Sequence, residues 1–161
     1  MQLRSKGKGE PYIRSYTLNK MDKYESNRVD PDGKELNERG ELQLTEGNLE
    51  EAHRLFLLAA EQSEYLAMYN LACMYYFGDG VEKDDKKAFG WFVKAMEHGD
   101  MEAANRVGVM YDQGIGVQAD PENAFRCFYK SAEGGSLSGM ANLGFCFLTG
   151  KGTTADIQKG L

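Results

Sequence analysis

The sequence contains few of the residues from which covalent or metal-bound frameworks are built. Its 161 residues include three cysteines, two histidines, three prolines and one tryptophan. Cys73, Cys127 and Cys146 make an odd number without a C-x-x-C pair, which argues against a disulfide framework or a zinc site. We therefore expect reduced thiols in a protein core, with no metal and no cofactor.

Long apolar stretches are also missing. No uninterrupted apolar run approaches the roughly 20 residues that a membrane helix requires. The opening MQLRSKGKGEPYIRS is basic but lacks the apolar segment of a secretory signal. The sequence therefore predicts a soluble, cytoplasmic protein without a membrane partner.

The charge is unevenly placed along the chain. Residues 1–34 carry eight basic and five acidic side chains, whereas the remainder carries eleven basic and twenty acidic ones. An acidic body repels phosphate, so binding of nucleic acid is not expected. Residues 1–32 lack a sustained period and end in the turn sequence DPDG, which predicts a poorly ordered basic arm.

The remainder of the chain repeats itself every 36 residues. GDGVEKD (78–84), GIGVQAD (114–120) and GKGTTAD (150–156) occur at this spacing, and residues 67–102 match 103–138 at thirteen positions. Self-similarity at a fixed period of this length is typical of solenoids.

Each repeat contains two apolar stripes at helical spacing, one before the glycines (helix A) and one after them (helix B). This predicts an all-α solenoid with a repeat domain at 33–161 and units at about 33–65, 66–101, 102–137 and 138–161, the last incomplete. The helix A stripes are Met68, Leu71, Ala72 and Tyr75; Ala104, Val107, Gly108 and Tyr111; Met140, Leu143, Gly144 and Phe147. The helix B stripes are Ala88, Trp91, Phe92 and Ala95; Ala124, Cys127, Phe128 and Ser131.

The glycine-containing segments are predicted to form the turns that end one helix and start the next. Gly78, Gly114 and Gly150 are expected to end helix A in a left-handed conformation. Asp84, Asp120 and Asp156 are expected to cap the helix B that follows, with Pro121 in its first turn. In the first unit, helix A is predicted from Gly33 to Thr45, and Asn48 and Glu51 are expected to form a capping box at the start of helix B.

The repeated pattern L-A/G-x-x-Y-x-x-G-x-G-V-x-x-D, followed by A-F-x-W/C-F-x-K, resembles the Sel-one-like repeat family, a branch of the tetratricopeptide-like solenoids. The first unit looks more like an ordinary tetratricopeptide repeat. The resemblance implies a right-handed superhelix of antiparallel helix pairs with helix A on the concave face. It also implies a non-catalytic adaptor or scaffold that binds a protein or peptide.

The tetratricopeptide resemblance also implies a register for the concave face. Aromatic, amide and carboxylate side chains in this register would suit a peptide with basic and apolar side chains. Tyr69 and Tyr76 could instead pack within and between repeats. The implied partner-binding positions are Asn37, Glu41, Tyr69, Cys73, Tyr76, Glu102, Asn105, Val109, Asp112, Phe145 and Leu148.

Three alternatives remain open. A small ester or lactam hydrolase would need a reactive residue such as Cys73, but His53, His98 and Cys127 are expected to be structural or solvated. The basic arm could bind acidic surfaces, with the repeats as a handle. The incomplete last unit could mediate self-association by leaving Leu143 and Phe147 partly uncovered.

Overall fold

The computed structural model describes residues 30–153, and within that range the chain consists of seven α-helices of 13 residues each, without strands. Helices A and B alternate along the chain, so the all-α prediction is confirmed. The helices A are α1 (Gly33–Thr45), α3 (Tyr65–Phe77), α5 (Met101–Gln113) and α7 (Leu137–Thr149). The helices B are α2 (Leu49–Glu61), α4 (Asp85–Glu97) and α6 (Pro121–Glu133).

The helices end and start at the glycine and aspartate positions that the sequence predicted. Gly78, Gly114 and Gly150 end α3, α5 and α7 with φ angles of 78°, 69° and 72°. In this left-handed region a Cβ would be strained, so glycine is preferred. The carboxylates of Asp84 and Asp120 accept the backbone N–H groups of the third residues of α4 and α6. Asp156 and the predicted arm up to residue 29 lie outside the described residues.

The predicted capping box in the first unit is wrong. Asn48 precedes α2, but its side chain makes no capping hydrogen bond there. Its Nδ2 instead donates to Gln43 Oε1 at 3.0 Å, because the short loop brings the amide back to the end of α1. The backbone N–H of Asn48, which Glu51 would accept in a capping box, donates to the Gln43 carbonyl oxygen at 2.9 Å, and Glu51 accepts from Arg54 within the helix.

Within a unit, a helix B ring lies against a small residue of helix A. A Cβ added to Gly40 or Gly108 would be 2.6 Å from Cε1 of Phe56 or Phe128, respectively. Ala72, at the equivalent place in α3, is fully buried. The repeat positions that hold small residues therefore determine how closely the two helices of a pair can approach each other.

Between units, the second glycine of each loop lies on the previous helix B. Gly80 contacts Leu49 at the start of α2, Gly116 contacts Asp85 at the start of α4, and Gly152 contacts Pro121 at the start of α6. A Cβ at Gly116 or Gly152 would overlap a backbone carbonyl oxygen. The G-x-G pair thus has two roles: the first glycine ends a helix, and the second lets consecutive units stack.

The apolar stripe of α7 is less covered than those of α3 and α5. Met140 is 48% exposed, whereas the equivalent Met68 is 4% exposed. The stripes of α3 and α5 are covered by α4 and α6, but the described residues contain no helix B after α7. The expected packing of Met140 is therefore wrong for the described part of the chain, while Leu143 and Phe147 are half-buried.

Candidate functional site

The predicted contact positions lie on α1, α3, α5 and α7, which follow one another across the repeat units. We call the surface formed by these side chains the helix A face. Its residues fall into two groups: polar side chains that bond consecutive helices A to each other, and apolar side chains that remain partly or largely exposed.

A row of polar pairs connects consecutive helices A, and we call this row the polar ladder. Asn70 Nδ2 donates to Asn37 Oδ1 at 3.0 Å, and Asn142 Nδ2 donates to Asn105 Oδ1 at 2.8 Å. Asn37 and Asn105 are buried. Both predicted contact residues therefore stabilise the stacking of helices, because a buried amide requires such a partner.

Tyr69 and Arg106 form the middle pair of the ladder. Arg106 Nε donates to Tyr69 Oη at 3.4 Å, and the Tyr69 ring packs edge-on against Phe92 at a centroid distance of 5.3 Å. Burial raises the pKa of Tyr69. Tyr69 therefore packs within its unit and positions the guanidinium of the next one.

One member of each pair was not predicted from the sequence: Asn70, Arg106 and Asn142. These residues directly follow Tyr69, Asn105 and Ala141, and they occupy the same position in three aligned repeats. This recurrence of polar residues was a signal that could have identified them.

The three predicted carboxylates each have a partner within the chain. Glu41 accepts from Asn37 Nδ2 at 2.9 Å, and Glu102 accepts from Ser136 Oγ at 3.1 Å. Asp112 forms an ion pair of 2.7 Å with Lys151. Of the three, only Asp112 is paired with an opposite charge, because the partners of Glu41 and Glu102 are neutral donors.

A small pocket lies where α3 and α5 meet. Its volume is about 30 Å³, and its lining combines the predicted Cys73, Tyr76 and Val109 with Phe77 and Arg106, which the register had not included. The buried Phe92 and Met110 complete its lining. Cofactor pockets usually occupy roughly 300–1,000 Å³, so this pocket fits part of one side chain.

Exposed apolar side chains lie at the rim of this pocket and on α7. Phe77 is 63% exposed and lies edge-on to the Tyr76 ring at 5.1 Å. Phe145, which is 56% exposed, and Leu148 lie on α7 at positions equivalent to Cys73 and Tyr76. The face therefore carries an apolar row across three consecutive units.

The cysteine thiols have the properties of packing groups. Cys73, Cys127 and Cys146 are free. Burial raises the pKa of all three thiols, so the reactive thiolate is disfavoured near neutral pH.

The two histidines lie in structural positions. His53 Nε2 is 3.2 Å from Tyr75 Oη, between α2 and α3, and His98 Nδ1 is 2.9 Å from the Lys94 carbonyl oxygen at the end of α4. Across residues 30–153, the His, Cys, Asp and Glu side chains form no group of three suited to a metal ion. Over the same range no helix has the length and apolar character needed to traverse a bilayer.

The sequence profile of the Sel1 repeat matches four consecutive segments of the chain: 33–64, 66–100, 102–136 and 137–161. The first unit is included, although its sequence looked more like an ordinary tetratricopeptide repeat. No functionally curated protein matches the chain.

Solved structures show the same fold. A protective antigen of uropathogenic Escherichia coli with an SLR fold is 34% identical, with a TM-score of 0.76, over 80% of this chain and 28% of that one. A Sel1 repeat protein from Oxalobacter formigenes is 31% identical, with a TM-score of 0.73, over 80% of this chain and 53% of that one. Cysteine rich protein B from Helicobacter pylori shares the fold at 24% identity and a TM-score of 0.55, over 56% of this chain and 68% of that one. This chain therefore spans about a quarter to a half of the first two relatives.

Proposed function

Because the chain belongs to the Sel1 repeat family, whose members generally mediate protein–protein interaction, we propose that it is a non-catalytic scaffold that binds a partner peptide along the helix A face. The peptide is a segment of another protein. The family resemblance implies that this face lies on the concave side of the superhelix. We also propose that the chain acts as a cytoplasmic adaptor.

The observation that carries this proposal is the apolar row on the helix A face. Phe77 on α3 is exposed, and so are Phe145 and Leu148 on α7. The half-buried Tyr76 lies on α3, and the half-buried Val109 lies on α5, the helix A between the two. Large apolar side chains grouped on one surface and rimmed by polar groups are typical of interaction sites. Exposed aromatic rings in such a row are suited to anchor a partner.

The polar groups of the face favour an extended peptide with basic as well as apolar side chains. Glu41, Glu102 and Asp112 each use an oxygen in a contact within the chain. An ionised carboxylate has about four acceptor sites, so each can still accept from a Lys or Arg of the partner. The apolar row would then hold the apolar side chains of the same segment.

The proposal is tested by selecting binders from a displayed library of random peptides. Phe145→Ser should weaken the selected peptides about tenfold or more, because it removes an aromatic anchor. Tyr129→Ser is the matched control, since Tyr129 is a similarly exposed aromatic residue on α6, a helix B. Failure to select any peptide, or equal weakening by both variants, would refute the proposed face.

We further propose that the face of α7 that carries Leu137 and Met140 supports self-association. Leu137 and Met140 are exposed on this face, whereas Met68, the residue of α3 equivalent to Met140, is buried. Sedimentation velocity on the full chain should show a concentration-dependent dimer that Met140→Lys abolishes. The proposal would be contradicted if the chain stayed monomeric up to a concentration of about 100 µM, at which a dimer with a micromolar dissociation constant would form.

A further inference from the structure

We propose that the pocket between α3 and α5 receives the end of an apolar side chain of the bound peptide, while Arg106 binds a carboxylate of that peptide beside it. This rests on the proposed function and names the chemistry of the partner at one place on the helix A face. The carboxylate belongs to an Asp or Glu side chain, or to the peptide C-terminus.

The guanidinium of Arg106 is held at the pocket but is not neutralised there. Its Nε donates to Tyr69 Oη, while its two terminal nitrogens have no hydrogen-bond partner among the described residues. The side chain is exposed and lines the pocket together with Cys73, Tyr76 and Phe77. A fork of free N–H donors therefore lies next to an apolar surface.

The nearby acidic groups do not occupy this fork. Glu102 lies one helical turn before Arg106, but its Oε2 accepts from Ser136 Oγ. Among residues 30–153, Asp112 is ion-paired with Lys151, and no carboxylate forms an ion pair with Arg106. The charge of Glu102 acts on Arg106 from a distance, but no carboxylate of the described residues contacts the guanidinium, so its terminal nitrogens remain available to a ligand.

Guanidinium and carboxylate groups match in charge and geometry. A planar fork can donate two parallel hydrogen bonds to one carboxylate, and Tyr69 already restricts the motion of the Arg106 side chain. The net charge of −6 opposes an anionic ligand at long range, but the Debye length is about 8 Å at physiological ionic strength, so charges in direct contact dominate.

The test uses the displayed random-peptide library on the intact chain. The selected sequences should carry Asp, Glu or a free C-terminus within two residues of Leu, Ile, Met or Phe. The top sequence is then synthesised in two forms, one with its carboxylate and one with the corresponding amide, and their affinities are measured by fluorescence anisotropy.

Arg106→Gln should weaken the carboxylate form about 10- to 100-fold, as expected for the loss of hydrogen bonds to a charged group, and should make the two forms equal. Arg106→Glu should favour the amide form. Arg126→Gln, an exposed arginine of α6, is the matched control and should change neither affinity by more than about twofold. Tyr69→Phe should weaken the carboxylate form less than Arg106→Gln, because it frees the guanidinium without removing it.

The position of the peptide is checked by thiol alkylation. The bound peptide should slow alkylation of Cys73, which lines the pocket, and leave Cys127 on α6 unchanged. This readout uses the unmodified chain, so it remains valid if an Arg106 variant fails to fold.

The outcomes separate this inference from the proposed function. Peptides that bind and depend on Phe145, but lack a carboxylate or ignore Arg106→Gln, would overturn the inference and leave the scaffold proposal intact. Unchanged alkylation of Cys73 by a carboxylate peptide would also overturn the inference. A library that yields no binder would overturn both.

Discussion

Gly116 and Gly99 both have positive φ angles, of 68° and 96°, but their surroundings differ. A Cβ at Gly116 would overlap the Asp85 carbonyl oxygen, whereas one at Gly99 would have nothing within 4 Å. Left-handed backbone costs any other residue about 1–2 kcal/mol, and overpacking adds about 1–3 kcal/mol.

We therefore expect Gly116→Ala to lower the free energy of unfolding by at least about 2 kcal/mol, and Gly99→Ala by about 1 kcal/mol. Urea unfolding of the two variants at one pH measures the difference. Equal losses would show that the contact between units does not constrain Gly116.

His53 should make stability depend on pH. Burial, and secondarily the charge of Lys87, lower its pKa in the folded state below the usual 6.5. As the pH falls, the imidazole of His53 is therefore protonated at a higher pH in the unfolded chain than in the folded one. The free energy of unfolding decreases from about pH 6.5 until the pH is below the lowered pKa of the folded state.

This contribution should disappear in His53→Gln. Urea unfolding between pH 7.5 and 5 should show a shallower decline for this variant than for the parent chain, because the proton uptake of the unfolded state is removed. His98→Gln is the control, since His98 lies at an exposed helix end. A decline as steep as the parent's in His53→Gln would assign the pH dependence to other groups.

At the scale of the single helix, α4 contains a glycine, Gly90, at a position where the neighbouring atoms leave room for a side chain. Gly90 lies in the exposed interior of the helix, and an added Cβ would have nothing within 4 Å. Gly90→Ala should raise the free energy of unfolding by about 0.5–1 kcal/mol, because alanine has less backbone entropy to lose.

Gly108→Ala in α5 is the matched contrast. There the Cβ would be 2.6 Å from Phe128 Cε1, so the paired helices would have to separate and the midpoint of thermal unfolding should fall. A lower midpoint for Gly90→Ala would contradict the propensity argument.

At the scale of the whole molecule, stability depends on how strongly neighbouring units are coupled. Asn105 is buried and accepts from Asn142 of the next helix A, so Asn105→Ala leaves a half-buried amide without its acceptor. We expect a loss of about 1–3 kcal/mol and a lower dependence of unfolding free energy on urea, because α7 can then open separately.

Hydrogen exchange should locate this opening, with faster exchange in α7 than in α3. A double-mutant cycle with Asn142→Ala isolates the coupling, which should be about 0.5–1.5 kcal/mol. A coupling near zero would mean that the polar ladder does not transmit stability between units.

Much of the fold could be predicted because its determinants are local. Apolar spacing identified the helices, and the left-handed glycines and the capping Asp84 and Asp120 marked their ends, since each depends on residues within one or two turns. The failed capping box at Asn48 shows the limit: whether a side chain caps depends on the conformation of its own short loop.

The candidate site could be predicted only in part. The tetratricopeptide resemblance implied which helix face to consider, and Phe145 and Leu148 are exposed on it. Asn37 and Asn105 were also assigned to contact, but the structure buries both in the polar ladder.

By itself, the sequence determined that this chain forms repeated helix pairs with helix ends at fixed positions. Apolar periodicity and the residue preferences of turns and helix caps depend on residues only a few positions apart. Only the tertiary structure decided which polar side chains bond between helices, which glycine contacts the preceding unit, and that Arg106 keeps free donors beside an apolar pocket. Those properties arise between residues of neighbouring units, whose distances are fixed by the stacking of those units.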